Sequence, residues 1–227
     1  MTLSTTKKFI IMAAAALFWA ASAMFAQDGN GLTEEVFYLM PKMGSGTVYF
    51  NGKAPANGEL NICAVDNTVR YMDKGTELAV GIDDSMARVV IDGNIFVPYE
   101  GVFLRLYPFG EDQGVAVRRN VTIMNDSKTG AYGMESSTTA VTSIIGISDT
   151  ALAQVFTLEE GRNTPYRMSH TVYVYRDGNI MTLNKRNLQR CFPEAKDKIE
   201  AYFSEHKKLE NNDPEKVLAL VKEWTGN

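Results

Sequence analysis

Residues 171–203 read TVYVYRDGNIMTLNKRNLQRCFPEAKDKIEAYF, and inside this stretch the chain changes its period. Thr171 to Leu183 alternates β-branched and aromatic residues around Asp177-Gly178, a dipeptide suited to a two-residue turn with positive φ, so it reads as a β-hairpin. From Asn184 the apolar residues recur three and four apart, which puts Leu188, Cys191 and Phe192 on one side of a short helix. Pro193 then stands at a first-turn position, with Glu194 early and His206, Lys207 and Lys208 late. Ala195, Ile199, Tyr202 and Phe203 form the apolar stripe of that second helix. NDPEKVLALVKEWTGN, at 212–227, repeats the formula. Asp213 is the N-cap, Pro214 the first helical residue, Val217, Leu218, Val221 and Trp224 the apolar side, and Gly226 the stop. A unit of roughly 40 residues rarely buries enough surface by itself. The three helices of 184–227 are therefore expected to cap whatever precedes them.

What precedes them is β-type. GTVYFNG, GELNICAV, TVRYMD, ELAVGI, ARVVIDGNIFVPYE, VFLRLYPFG and GVAVRRNVTIM are short runs rich in Val, Ile, Tyr and Phe. Turn chemistry at Asn51-Gly52, Asn57-Gly58, Lys74-Gly75 and Asp92-Gly93 separates them. The expected fold class is α+β, mainly β: an antiparallel sandwich or open barrel over 36–183 with a C-terminal three-helix cap over 184–227. Residues 125–150 are rich in Ser, Thr and Gly and read as a long connection carrying one more strand, Thr139 to Ile145.

The chain opens with Lys7 and Lys8, an apolar run from Phe9 to Ala21, and small residues up to Ala26-Gln27. This is the anatomy of a secretory signal peptide over 1–26, and the run is short of the ~20 residues a spanning helix needs. The expected location is thus exported, in the periplasm or associated with the outer membrane or cell surface, with no transmembrane segment after signal removal. Residues 27–35 read as a flexible start of the mature chain. The chain has 23 Lys+Arg and 27 Asp+Glu; Lys7 and Lys8 leave with the signal and no acid does, so the mature balance is about −6. Nothing in that balance favours nucleic acid as a partner.

The closing segment, MTLNKRNLQRCFPEAKDKIEAYFSEHKKLENNDPEKVLALVKEW, resembles the end of a group of secreted proteins of Bacteroidota-type bacteria that has no established activity. IDGNIFVPYEG and GAYG upstream resemble the same group. The resemblance implies a β-rich region with a helical C-terminal tail and an exported location, and it implies no catalytic residues.

The residues themselves offer little chemistry. The chain has two histidines, His170 and His206, and two cysteines, with no Cys-x-x-Cys, HExxH or paired-His spacing, so no metal or other cofactor is expected. Ser169-His170 lacks a Gly-x-Ser-x-Gly elbow. Cys191 and His206 imitate a nucleophile–base pair, but Cys191 belongs with Leu188 and Phe192 on a packing face. The pairs Asp83-Asp84, Glu111-Asp112 and Glu159-Glu160 read as solvated loop charges, because neighbours in a strand point to opposite faces. No catalytic residue is assigned.

Two features stay open. In VFLRLYPFG, Phe103, Arg105 and Tyr107 lie opposite Val102, Leu104 and Leu106; in TVYVYR, Tyr173 and Tyr175 lie opposite Val172 and Val174. If the aliphatic sides face the core, Phe103, Arg105, Tyr107, Tyr173 and Tyr175 are either covered by the helices or make an exposed platform for a sugar or peptide. Cys63, opposite Leu60, Ile62 and Ala64, meets Cys191 in a disulfide if the helices cover that side; otherwise both cysteines are small buried hydrophobes. The function expected is that of an exported binding or structural module of the cell envelope, its partner an envelope protein or a glycan. The alternative is an envelope hydrolase acting on glycans or peptides through loop carboxylates.

Overall fold

A computed structural model describes residues 27–125, 140–141 and 156–226. The expected signal peptide, 1–26, and most of the 125–150 connection lie outside the described residues. The strands are β1 (Gln27–Asn30), β2 (Gly44–Phe50), β3 (Ala56–Ile62), β4 (Val69–Asp73), β5 (Thr76–Val80), β6 (Met86–Ile91), β7 (Asn94–Tyr99), β8 (Val102–Gly110), β9 (Gln113–Asn125), β10 (Ala140–Val141), β11 (Pro165–Arg176) and β12 (Asn179–Thr182). Ten of them form one antiparallel path, β1-β11-β9-β8-β7-β6-β2-β3-β4-β5, with β10 paired to β9 and β12 to β11. The path does not close. Of the strand expected at Thr139–Ile145, the structure describes Ala140 and Val141, opposite Asn125 and Met124; the rest lies outside the described residues.

The hairpins follow from their turns. Lys74-Gly75, Asp92-Gly93, Glu100-Gly101 and Asp177-Gly178 each have positive φ at both residues and join strands that pair immediately on either side. Asn57-Gly58 is not a turn. It lies inside β3, where Asn57 pairs with Thr47 and Gly58 with Gly46. The close approach there is at its partner: a Cβ on Gly46 would stand 2.8 Å from Leu60 Cδ1 and from the Val90 carbonyl oxygen.

Residues 27–35 also differ from expectation. Gln27–Asn30 pairs with Pro165–Met168 of β11. Leu32, and Val36 and Phe37 of the short helix α1 (Glu34–Phe37), are then buried. The polar composition of 27–35 hid an edge strand, whose backbone hydrogen bonds require no particular side chains, followed by an apolar anchor.

The sheet curls. Cys63 and Val65, just past β3, pack with Ile123, Tyr166 and Met168 of β9 and β11, although β8, β7, β6 and β2 separate those strands in the path. The inner side of the curl holds Val48, Leu60, Ile62, Val69, Val89, Ile91, Phe96 and Phe103 in one cluster and Val115, Val117, Val172 and Val174 in another. Register carries these onto one face, since Val48 is opposite Val89, Val89 opposite Phe96, and Val117 opposite Val172.

The C-terminal helices cover the β9–β11 part of this inner side. They are α3 (Lys185–Cys191), a 3-10 turn (Pro193–Ala195) running into α4 (Lys196–Glu205), and α5 (Pro214–Thr225); a single turn, α2 (Leu158–Gly161), precedes β11. Asn184 caps α3 by accepting from Asn187 N at 2.9 Å, and Asp213 caps α5 by accepting from Lys216 N at 3.0 Å. Gly226 ends α5 at φ 77°. Leu188, Cys191, Phe192, Ala195, Ile199, Val217, Val221 and Trp224 are buried against Val115, Val117, Val172 and Val174. At roughly 25 cal/mol per Å2 of apolar surface removed from water, that contact is what holds the cap. None of the helices among the described residues is long and apolar enough to cross a membrane.

Candidate functional site

The five residues considered for an aromatic platform are divided between two faces. Leu106 pairs with Ala116, and Ala116 with Tyr173, so Tyr173 shares the outer face with Leu106. Tyr173 and Tyr175 pack there with Val102, Leu104 and Ala116, and the Tyr173 ring meets Tyr99 edge-on at 5.7 Å. Phe103, Arg105 and Tyr107 point the other way, into the curl. Phe103 is buried in the β2–β8 cluster, while Arg105 and Tyr107 are half-buried. Side chains alternate within each strand as the sequence predicts; the register between strands sends the two aromatic sets apart.

The cysteines are likewise separate. Both are buried and unbonded, Cys63 in the cluster under α1 and Cys191 under the helical cap. The Cys191 thiol donates to the Tyr175 carbonyl at 3.0 Å. Burial pushes the Cys63 thiol up to about 12 and the Cys191 thiol up to about 11, which disfavours a thiolate at either. His206 is exposed and stacked on Tyr202, with Nδ1 3.0 Å from the Tyr202 carbonyl oxygen, so it serves no thiol.

What the inner face does bring together is basic. Arg105 on β8 pairs with Val117, and Arg119 on β9 pairs with His170 on β11. Arg105 and Arg119 are therefore diagonal neighbours on one face, within reach of each other's long side chains, and His170 stands beside Arg119. The three residues lie where the apolar clusters under the cap, under α1 and under β2–β8 meet. Arg105 Nη2 donates to Asn94 Oδ1 at 2.5 Å, and its guanidinium carbon is 5.0 Å from the Tyr107 ring centroid. Arg119 Nη1 donates to the Glu35 and Tyr38 carbonyls, both at 2.9 Å, fastening the end of α1. Among the described residues neither guanidinium forms an ion pair.

Electrostatics follows from that arrangement. Burial holds the Arg119 guanidinium below its ordinary value; the Arg105 charge pushes the same way, against Tyr107 and Glu35. His170 is 8 % exposed, and its Nδ1 has no hydrogen-bond partner. Burial, and then the Arg119 charge, push it down to about 4. At neutral pH it is an uncharged imidazole with one donor and one acceptor nitrogen.

Two other arginine sites are already satisfied. Arg70, on β4, is buried and donates through Nε to Thr68 Oγ1 (2.8 Å), through Nη1 to Glu77 Oε1 (3.3 Å), and through Nη2 to Asp66 and to the Phe156 carbonyl (3.0 Å). Tyr38 Oη donates to Glu77 Oε2 at 2.8 Å, and burial with that contact raises the Tyr38 phenol. At the far end of β11, Arg176 lines a shallow cleft of about 410 Å3 with Asp177, Asn179, Met181, Arg190 and Pro193. Its Nη1 donates to the Arg190 (2.5 Å) and Cys191 (3.1 Å) carbonyls, closing the end of α3, and its Nε contacts Asp177 at 3.3 Å. The paired acids are exposed. Asp83 is bonded to Ser85, and Glu160 closes the capping box of α2 with Thr157.

No protein-family model, curated protein or solved structure matches the chain significantly. The site therefore rests on its own geometry. Arg119 was visible in the sequence only as one member of Arg118-Arg119, with nothing to say which of the two pointed inward. His170 was visible, but without an elbow motif nothing drew it toward a site.

Proposed function

We propose that the chain is an exported component of the cell envelope that binds its partner, a glycan or another envelope protein, rather than transforming it. The observation that carries this reading is the Arg105–Arg119–His170 cluster: two cationic side chains beside a neutral imidazole on the inner face of the sheet, with no ion pair to either arginine among the described residues. Burying a charge without an acid partner is costly, and a fold keeps such an arrangement where an external group completes it. Export rests on Lys7, Lys8 and the apolar run after them, and on the resemblance of the C-terminal segment to secreted Bacteroidota-type proteins. The hydrolase alternative needs two carboxylates opposed across a cleft; the pairs at 83–84, 111–112 and 159–160 are exposed, and Asp83 and Glu160 are engaged in local bonds.

The test is a binding screen of the mature protein against envelope glycans and peptides, followed by mass spectrometry of the retained molecules. Retention of an intact ligand is expected. Time-dependent cleavage abolished by a single Asp or Glu substitution would reverse the reading in favour of the hydrolase.

A further inference from the structure

We propose that the Arg105–Arg119–His170 cluster is an oxyanion site, which takes the carboxylate or phosphate group of the bound partner. This rests on the reading of the chain as a binding module and names the chemistry of its ligand. Three independent features point to it. First, each guanidinium has five N–H donors in a planar fork, yet Arg105 has one bonded nitrogen and Arg119 one. The remaining donors of two diagonal arginines can converge on one anion, the geometry in which arginine binds carboxylate and phosphate in bidentate fashion.

Second, the two positive charges repel each other in a partly desolvated place, and among the described residues neither is ion-paired, the exposed Glu35 carboxylate offsetting Arg119 only in part. Arg70, with Asp66 and Glu77 in contact, shows how this same fold neutralises a guanidinium when the role is internal. Third, His170 carries a polar atom without a partner in a position over nine-tenths buried, directly opposite Arg119. Orphaned buried polar atoms are uncommon, and one beside two underused guanidiniums is completed by a ligand that both accepts and offers a hydrogen bond. A hydroxyl-bearing acid or a monoprotonated phosphate does both. Arg105 and Tyr107 are half-buried, which leaves the cluster in contact with solvent.

The experiment uses the full mature chain with inorganic phosphate and glucuronate as separate probes. Each is titrated by calorimetry and by two-dimensional NMR of the backbone and of the histidine ring nitrogens. Saturable binding of at least one probe is expected, with the largest shifts at Arg105, Arg119 and the His170 ring; the tighter probe distinguishes a phosphate from an acid-sugar source. Arg105→Gln should weaken binding roughly ten- to hundredfold, and Arg105→Lys should weaken it less. Arg105 holds only a side-chain bond to Asn94, so its replacement leaves the backbone bonds of α1 to Arg119 in place. Arg88→Gln, on the opposite side of β6 from Val89, should leave binding unchanged. No saturable binding of either probe by the folded protein overturns the proposal, as does binding that Arg105→Gln leaves intact. A neutral glycan or a peptide retained equally by wild type and Arg105→Gln would overturn the oxyanion site and leave the binding-module reading standing.

Discussion

Arg70 and Arg119 occupy the same curled sheet and are both taken out of bulk water, but they are treated oppositely. Arg70 is knotted: four of its five donors reach Thr68, Glu77, Asp66 and the Phe156 carbonyl, and two of those partners are acids. Arg119 touches two backbone carbonyls and faces a neutral histidine and a second arginine. The difference separates charge used to fasten segments from charge left for another molecule. In the first case removal leaves a half-buried Asp66 and the more exposed Glu77 without their counter-ion; in the second it removes a repulsion.

The sharpest way to break the comparison is therefore Arg70→Met. Arg70 itself is buried, and its loss removes four hydrogen bonds, two of them to acids, and leaves Asp66 partly desolvated, a cost of about 3–5 kcal/mol. Asp66 and Glu77 would be stranded, and residue 156 would lose its tie to β4. Chemical denaturation should show a large fall in midpoint. A change below about 1 kcal/mol would mean that Arg70 is as loosely held as Arg119, and the contrast would collapse.

How much of this was legible depended on the range of the interaction. Asp177-Gly178, Lys74-Gly75 and Asp92-Gly93 specify their hairpins locally through positive φ, and the helical stripe from Leu188 to Trp224 specifies which side faces the sheet. Asn57-Gly58 carried the same turn signal and was overridden by the ladder between β2 and β3. The aromatic platform failed at the next level. Alternation within β8 and β11 was plain, but β9 lies between them, and only the pairing of Ala116 with both Leu106 and Tyr173 decides which sides coincide. The basic cluster needs three strands in register at once, Arg105, Arg119 and His170 being up to 65 residues apart in sequence. No local pattern marks such a meeting.

Acid titration sharpens the comparison from the histidine side. His170 binds a proton at the ordinary value of 6.5 when unfolded and only near 4 when folded. Between those values the unfolded chain holds more protons, so stability rises with pH and this contribution is complete above about 6.5. It is lost as pH falls toward 4, by ~3 kcal/mol in all. His170→Gln should flatten that part of the stability–pH curve, and the wild type minus variant difference cancels carboxylates titrating in the same window. Parallel curves from pH 7 to 4 would mean that His170 protonates freely in the fold, beside Arg119, which its burial and that charge argue against.

The smallest effect is expected at Arg119, a half-buried arginine. Arg119→Met forfeits two hydrogen bonds to the Glu35 and Tyr38 carbonyls, a loss set against three gains. The guanidinium no longer has to be desolvated, the repulsion from Arg105 disappears, and a flexible apolar side chain fills space beside Val117 and Val121 on the same side of β9. The net change should be about 1 kcal/mol or less in either direction, read by the same denaturation that reports Arg70→Met. A loss as large as that of Arg70→Met would show that the carbonyl contacts at the end of α1 hold the fold, and that Arg119 is a fastener after all. A near-neutral stability with abolished phosphate or glucuronate binding would place its value outside folding, in the contact it makes with something the chain does not itself contain.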